Sequence, residues 1–146
     1  VRNIGAISGN KAATDNDWHA VTKKGDAAIR AWIDEQLHGR GCTIVLIGEA
    51  TAGRKWIDYE IKKSWNDKKG LLGIHIHNLE NSKGEKSSKG ANPFSSFTVC
   101  EGKRKLSGAA KCYDPPYTKS SSVYNYIAEN VESWIDEAID IRKKEF

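Results

Sequence analysis

The most regular pattern in the chain is an unbroken apolar run, Thr43-Ile44-Val45-Leu46-Ile47, stopped by Gly48. β-Branched runs without polar alternation belong to strands covered on both faces, as in a parallel sheet beneath helices. Leu71-Leu72-Gly73-Ile74-His75-Ile76-His77 predicts a second strand of the same kind. Between them, Lys55 to Asp67 carries Trp56, Tyr59, Ile61 and Trp65 as the bulky residues of a helix, with Gly70 as its stop. Strand, helix and strand in this order predict a right-handed crossover between parallel neighbours.

Two further helices follow from periodicity. Ala27 to His38 places Ile29, Trp32, Ile33 and Leu37 on one face, with Asp26 as the expected N-cap and Gly39 and Gly41 as the stop. Near the C-terminus, Val123, Ile127, Val131, Trp134, Ile135, Ala138 and Ile139 form one apolar stripe. Ser120 to Ser122 can cap that helix, and Arg142, Lys143 and Lys144 complement its dipole in the last turn. Val1 to Lys24 is polar and irregular. Asn78 to Ser96 predicts a long loop rich in Ser, Lys, Gly and Asn, and loops of that length in compact domains are commonly functional. Phe97 to Cys100 and Lys111 to Tyr113 read as short β pieces, forming either a small hairpin or an edge extension.

Composition narrows the function classes. The 146 residues suit one domain, 1–146. No stretch approaches the roughly 18 apolar residues of a membrane span, and no signal peptide is visible, so no membrane association is expected. The net charge of +4 comes from lysines gathered around Lys83–Lys89 and Lys103–Lys105. These read as solvated loops rather than a nucleic-acid-binding stripe. Three widely spaced cysteines, Cys42, Cys100 and Cys112, fit a reducing cytoplasm better than a disulfide framework. The chain begins at Val1 and contains no Met.

The candidate chemistry centres on Glu60. It lies four residues after Trp56, so the two share one side of the predicted helix. That helix follows the carboxyl end of a parallel strand, where such folds bind ligands. A carboxylate there can serve as acid, base, nucleophile or electrostatic stabiliser. The last role suits cleavage of an N-ribosyl bond, whose transition state resembles an oxocarbenium ion. Position alone leaves a solvated, dipole-offsetting glutamate as the commoner outcome. His75 and His77 fall on one strand face; with Cys100 and Cys112 they match no closed zinc pattern. His77, with Asn78 at the strand end, is a candidate pocket wall, and His75 reads as a core histidine. Ser64, Ser95 and Ser96 lack a nucleophile elbow, and no phosphate-binding glycine loop is present.

Four segments together carry a resemblance: T-I-V-L-I-G (Thr43 to Gly48), R-K-W-I-D-Y-E-I (Arg54 to Ile61), G-L-L-G-I-H-I-H-N-L (Gly70 to Leu79) and K-G-A-N-P-F (Lys89 to Phe94). They resemble the TIR-like domain of ThsB proteins from bacterial Thoeris antiphage defence. Val1 to Asn3 also fits a segment of that family. The resemblance implies an α/β, flavodoxin-like fold with a mostly parallel sheet flanked by helices. It implies an enzyme that consumes NAD as a substrate, without a cofactor or metal. Nicotinamide would be released and a cyclic ADP-ribose isomer made, a diffusible signal that reaches an effector protein. By the family's W-x-x-x-E motif, Glu60 would be catalytic and Trp56 would line the pocket. Asn92 and Phe94 match a recurrent segment and join His77 as candidate substrate-binding residues. Assembly into a homo-oligomer is a further implication. The family begins with a central strand and helix that nothing before Val1 supplies, so roughly 20–30 N-terminal residues, about one β-α unit, are expected to be missing from the working protein. The alternatives are a non-enzymatic TIR-like interaction module and a nucleotide-binding or base-exchanging enzyme of similar fold.

Overall fold

A computed structural model describes residues 20–21, 23–81, 83–99 and 102–145. The expectations placed on Val1–Asn3 and Cys100 lie outside them. Helix α1 (Asp26–Leu37) leads to strand β1 (Cys42–Ile47), helix α2 (Lys55–Asn66) and strand β2 (Gly70–His75). A short hairpin, β3 (Thr98–Val99) and β4 (Arg104–Lys105), precedes a turn of 3₁₀ helix at Leu106–Gly108, strand β5 (Lys111–Tyr113) and helix α3 (Ser120–Glu145).

Strands β1, β2 and β5 form a parallel sheet in that order. β1 and β2 pair residue for residue, from Cys42 with Gly70 to Ile47 with His75. Alternation along each strand then splits the core. Val45, Ile47 and Leu71 face α2 and pack with Ile61, Trp65 and Phe94. Ile44, Leu72 and Ile74 face α3 and pack with Trp134 and Ala138. This double coverage is why the strands read as continuous apolar runs. Arg142 of α3 reaches around to α2, donating from Nε (3.2 Å) and Nη2 (2.9 Å) to the Trp65 carbonyl while lying 4.4 Å from the centre of its ring.

Several expectations need correction. Asp26 is the first residue of α1 rather than its N-cap; Gly25 holds that position at φ 97°, with no side-chain cap. The Asp26 carboxylate instead pairs with Lys55 at the start of α2. Gly70 does not stop α2. The stop is Lys68, in the left-handed region at φ 61°, and Lys69, whose N–H donates to the Ser64 carbonyl at 3.0 Å. Gly70 belongs to β2, where α3 passes so close that a Cβ would lie 2.8 Å from the Ile139 nitrogen. The second strand ends at His75, two residues short of the sequence reading. The two short β pieces do not pair with each other. Thr98–Val99 pairs antiparallel with Arg104–Lys105 from the basic turn, while Lys111–Tyr113 joins the main sheet parallel to β2.

Candidate active site at the carboxyl ends of the strands

At the end of β1 the chain is turned by its own polar groups. The Gly48 N–H donates to Thr51 Oγ1 at 2.8 Å, and Arg54 Nε donates to the Ala50 carbonyl at 2.7 Å. Arg54 leads into α2 with extended backbone and no side-chain cap. The phase of α2 is then fixed by a buried bond between Thr43 and Ser64, whose hydroxyl oxygens lie 2.7 Å apart. Glu60 lies one helical turn before Ser64, about 6 Å nearer the carboxyl end of β1.

That phase turns Glu60 inward. Its side of the helix also carries Ile61, Ser64 and Trp65, and Glu60 is only 8% exposed. A carboxylate so placed loses most of its hydration, which is costly unless charge or hydrogen bonding compensates. Water screens charge less at such a depth than at the surface. Two residues earlier, Asp58 Oδ1 is also buried and has no hydrogen-bond partner among the described residues.

Trp56 sits one turn before Glu60 but is held by a different neighbour. Its half-buried ring packs against the α1 cluster of Ile29, Ile33 and Leu37 and meets Tyr59 edge-on at 5.9 Å. Lys55 Nζ lies 4.8 Å from the ring centre. Tyr59 in turn donates its hydroxyl proton to Asp34 of α1 at 2.7 Å, and this bond is the main reason its pKa is pushed up to about 12. α1 thus holds the outer side of α2 while the sheet holds the inner side, with Glu60 near the boundary.

The last residue of β2 contributes His75, 6% exposed, on the α2 side of the sheet. Its ring lies 6.0 Å from that of His77, edge to face. The Nδ1 atoms of both are buried without a hydrogen-bond partner among the described residues. Desolvation pulls the His75 pKa below its ordinary value; Asp114 opposes that shift, and Lys89 and His77 add to it. His77 follows the strand, and its carbonyl accepts the Ser87 N–H at 3.1 Å, closing the long loop back onto the strand end.

The K-G-A-N-P-F segment packs directly on this end of the sheet. A Cβ at Gly90 would lie 2.0 Å from the Gly48 carbonyl oxygen, so only glycine fits between the loop and the end of β1. Asn92 Oδ1 accepts the Phe94 N–H at 2.8 Å, a local turn that sets the course of the loop. Phe94 is 0% exposed and belongs to the α2-side core. It fits there because Gly73 of β2 has no side chain: a Cβ at Gly73 would meet Phe94 at 3.4 Å and Ile47 at 2.7 Å. Phe94 therefore presents no surface to a ligand and serves as the loop's anchor.

Trp56 and Glu60 lie on α2, which follows β1, His77 follows β2, and the Asn92 loop packs against the Gly48 carbonyl after β1, anchored by Phe94 in the core. Gly90 lies inside the K-G-A-N-P-F segment without a spacing signal of its own, and His75 is buried in β2 as a core histidine. Cys112 flanks Gly73 as a free thiol whose pKa burial pushes up to about 12. Among the described residues no group of three or more His, Cys, Asp or Glu side chains is arranged to hold a metal ion, and no helix is long and apolar enough to cross a membrane.

Comparison with known proteins bears on this site. A family model described as Thoeris protein ThsB, TIR-like domain, matches residues 1–81. A Bacillus cereus (strain MSX-D12) protein named "Putative cyclic ADP-D-ribose synthase ThsB1" is 39% identical over 77 residues. The aligned stretch covers 53% of this chain and 40% of that protein's length. The family match takes in Trp56, Glu60, His75 and His77 and ends before Gly90, Asn92 and Phe94.

Proposed function

This chain belongs to the family of TIR-like domains of Thoeris protein ThsB, and we propose that its protein is an NAD-consuming enzyme of antiphage defence with Glu60 as the catalytic carboxylate. The observation that carries this reading is the buried Glu60 on α2, one turn after Trp56, on the helix that follows the carboxyl end of a parallel strand.

In this reading Glu60 holds the hydroxyls of the nicotinamide ribose and faces the ribosyl carbon. As the bond to nicotinamide lengthens, positive charge spreads over that carbon and the ring oxygen. A desolvated carboxylate stabilises this charge far better than water would. Nicotinamide, cationic in NAD, leaves neutral and needs no proton. Trp56 offers the exposed part of its ring as an apolar wall, and His77 borders the same end of the sheet. Asn92 acts through the loop it shapes. NAD is the substrate, and this chemistry calls on no metal or resident cofactor.

The name of the Bacillus cereus relative favours ring closure over simple hydrolysis as the fate of the ribosyl cation. The cyclic ADP-ribose isomer would then act as a diffusible signal to an effector protein. The test is to incubate the full-length protein with NAD and separate the products by chromatography. Wild type should release nicotinamide and yield a product one water lighter than ADP-ribose. Glu60→Gln should release nicotinamide on the order of 100-fold more slowly or worse. Equal release by the two proteins would remove Glu60 from the mechanism.

A further inference from the structure

One short segment touches all three parallel strands or the residues that directly follow them. At Gly90 its backbone rests on the Gly48 carbonyl that follows β1. At Phe94 it is plugged into the core over Gly73 of β2. At Lys89 it pairs with Asp114, the residue directly after β5, with Nζ and Oδ2 3.0 Å apart. The charges of Lys89 and Asp114 are both felt at the His75 imidazole, which ends β2. The segment therefore lies across the sheet end where the proposed site is.

Its three attachments differ in kind. Gly90 is buried and Phe94 has no exposed surface, so these two points are fixed by packing. The Lys89–Asp114 pair is exposed, with side chains 57% and 40% accessible. Exposed ion pairs are weak and open readily. The strap is thus rigid over β1 and β2 and has a breakable fastening over β5. The preceding loop is moored on the same side, where Lys86 donates to the Thr118 carbonyl and Asn78 Nδ2 donates to the Tyr117 carbonyl at 3.1 Å.

We propose that residues 89–94 form a strap that shields the site from water, and that the Lys89–Asp114 fastening sets the ratio of cyclic to hydrolysed product. This rests on the reading of Glu60 given above. Bond cleavage leaves the electron pair on the nicotinamide nitrogen and a cation at the ribosyl carbon. Attack by a water oxygen, with loss of one proton to solvent, gives ADP-ribose. Attack by an adenine nitrogen or a ribose hydroxyl of the same molecule, again with loss of one proton, gives the cyclic product. The first route needs water at the ribosyl carbon, and a closed site suppresses it. Lys89 and Asp114 act through the strap, as positioning residues, and touch no reacting atom.

The test uses the full-length protein and measures nicotinamide, ADP-ribose and the cyclic product together. Lys89→Ala and Asp114→Asn should each raise the ratio of ADP-ribose to cyclic product by about two- to five-fold, the range expected from losing an exposed ion pair. Nicotinamide release should remain near that of wild type. The exchanged pair, Lys89→Asp with Asp114→Lys, should restore the wild-type ratio, which a merely structural role in folding does not predict. Gly90→Ala, which forces the strap off Gly48, should shift the ratio in the same direction as the single charge variants. Nicotinamide release with an unchanged ratio in both charge variants overturns the strap proposal alone. Absence of release by wild type overturns the reading of Glu60, and the strap proposal with it.

Discussion

The two faces of the sheet are made by the same strands and are built differently. On the α3 side, Ile44, Leu72 and Ile74 meet Trp134 and Ala138, with Leu46, Ile76 and Ile135 at the margin. Its polar contacts include Glu137, which receives the Tyr113 hydroxyl at 3.0 Å and pairs with Lys111, and the buried Arg142, which crosses from α3 to the Trp65 carbonyl of α2. On the α2 side, Thr43, Ser64, Glu60 and His75 are all buried among Val45, Ile47, Ile61 and Phe94. Burying a carboxylate and an imidazole costs hydration, and the α2 side gathers both beside two buried hydroxyls. With Glu60 as the proposed catalytic carboxylate, the difference would separate stability from chemistry in this fold. Alternation along β1 and β2 would assign one to each side.

The separation can be broken most forcefully at Trp134. It is 7% exposed, stacks on Tyr113 at 4.2 Å and touches Tyr126 at 5.7 Å. Trp134→Ala should cost about 3–5 kcal/mol in urea unfolding. Nicotinamide release per folded molecule should be unchanged. A loss of release out of proportion to the loss of fold would mean that the α3 side also serves the chemistry.

Less of this division was legible in the sequence than the strands themselves. β1 was read correctly because double burial leaves an uninterrupted apolar run. The W-x-x-x-E spacing placed Glu60 and Trp56 on one side of a helix, but not the α1 packing that holds Trp56. The place of Phe94 depends on a hole at Gly73, more than twenty residues away in the chain, which spacing does not encode. Asp26 reads locally as a cap, whereas its partner Lys55 is 29 residues distant. β5 reads ambiguously because three residues carry little periodicity, and the chain reaches that strand through a loop, a hairpin and a 3₁₀ turn rather than a helix. Phe94 and Asp26 depend on long-range contacts that propensity and spacing do not encode.

A smaller effect sharpens the polar side. Thr43 and Ser64 are both fully buried and bonded to each other. Thr43→Val strands the Ser64 hydroxyl and should cost about 1–3 kcal/mol. Adding Ser64→Ala removes the stranded group, so the double variant should be less destabilised than the sum of the singles in a double-mutant cycle. Additive costs would show that the bond does not set the phase of α2, and with it the position of Glu60.

The smallest effect is a pH slope. His75 has its pKa held below the ordinary 6.5 by desolvation, with Asp114, Lys89 and His77 as its charged and titratable neighbours. The unfolded chain therefore takes up a proton first as the pH falls. Its contribution to stability is complete above about pH 6.5 and is lost as the pH drops from there through the lower folded value. Urea midpoints at pH 7.5 and 5.5 should fall further for wild type than for His75→Gln. Equal slopes would mean that His75 titrates alike in the folded and unfolded chains.

The central claim, that the α2 side carries the chemistry and the α3 side the stability, is tested most directly by measuring two quantities on two variants. Nicotinamide release per folded molecule and the unfolding midpoint are determined for Glu60→Gln and Trp134→Ala, each in the full-length protein. The account predicts a crossed result. Glu60→Gln loses release on the order of 100-fold or more with no fall in the midpoint, and Trp134→Ala loses midpoint but keeps release. Retention of release by Glu60→Gln would contradict it.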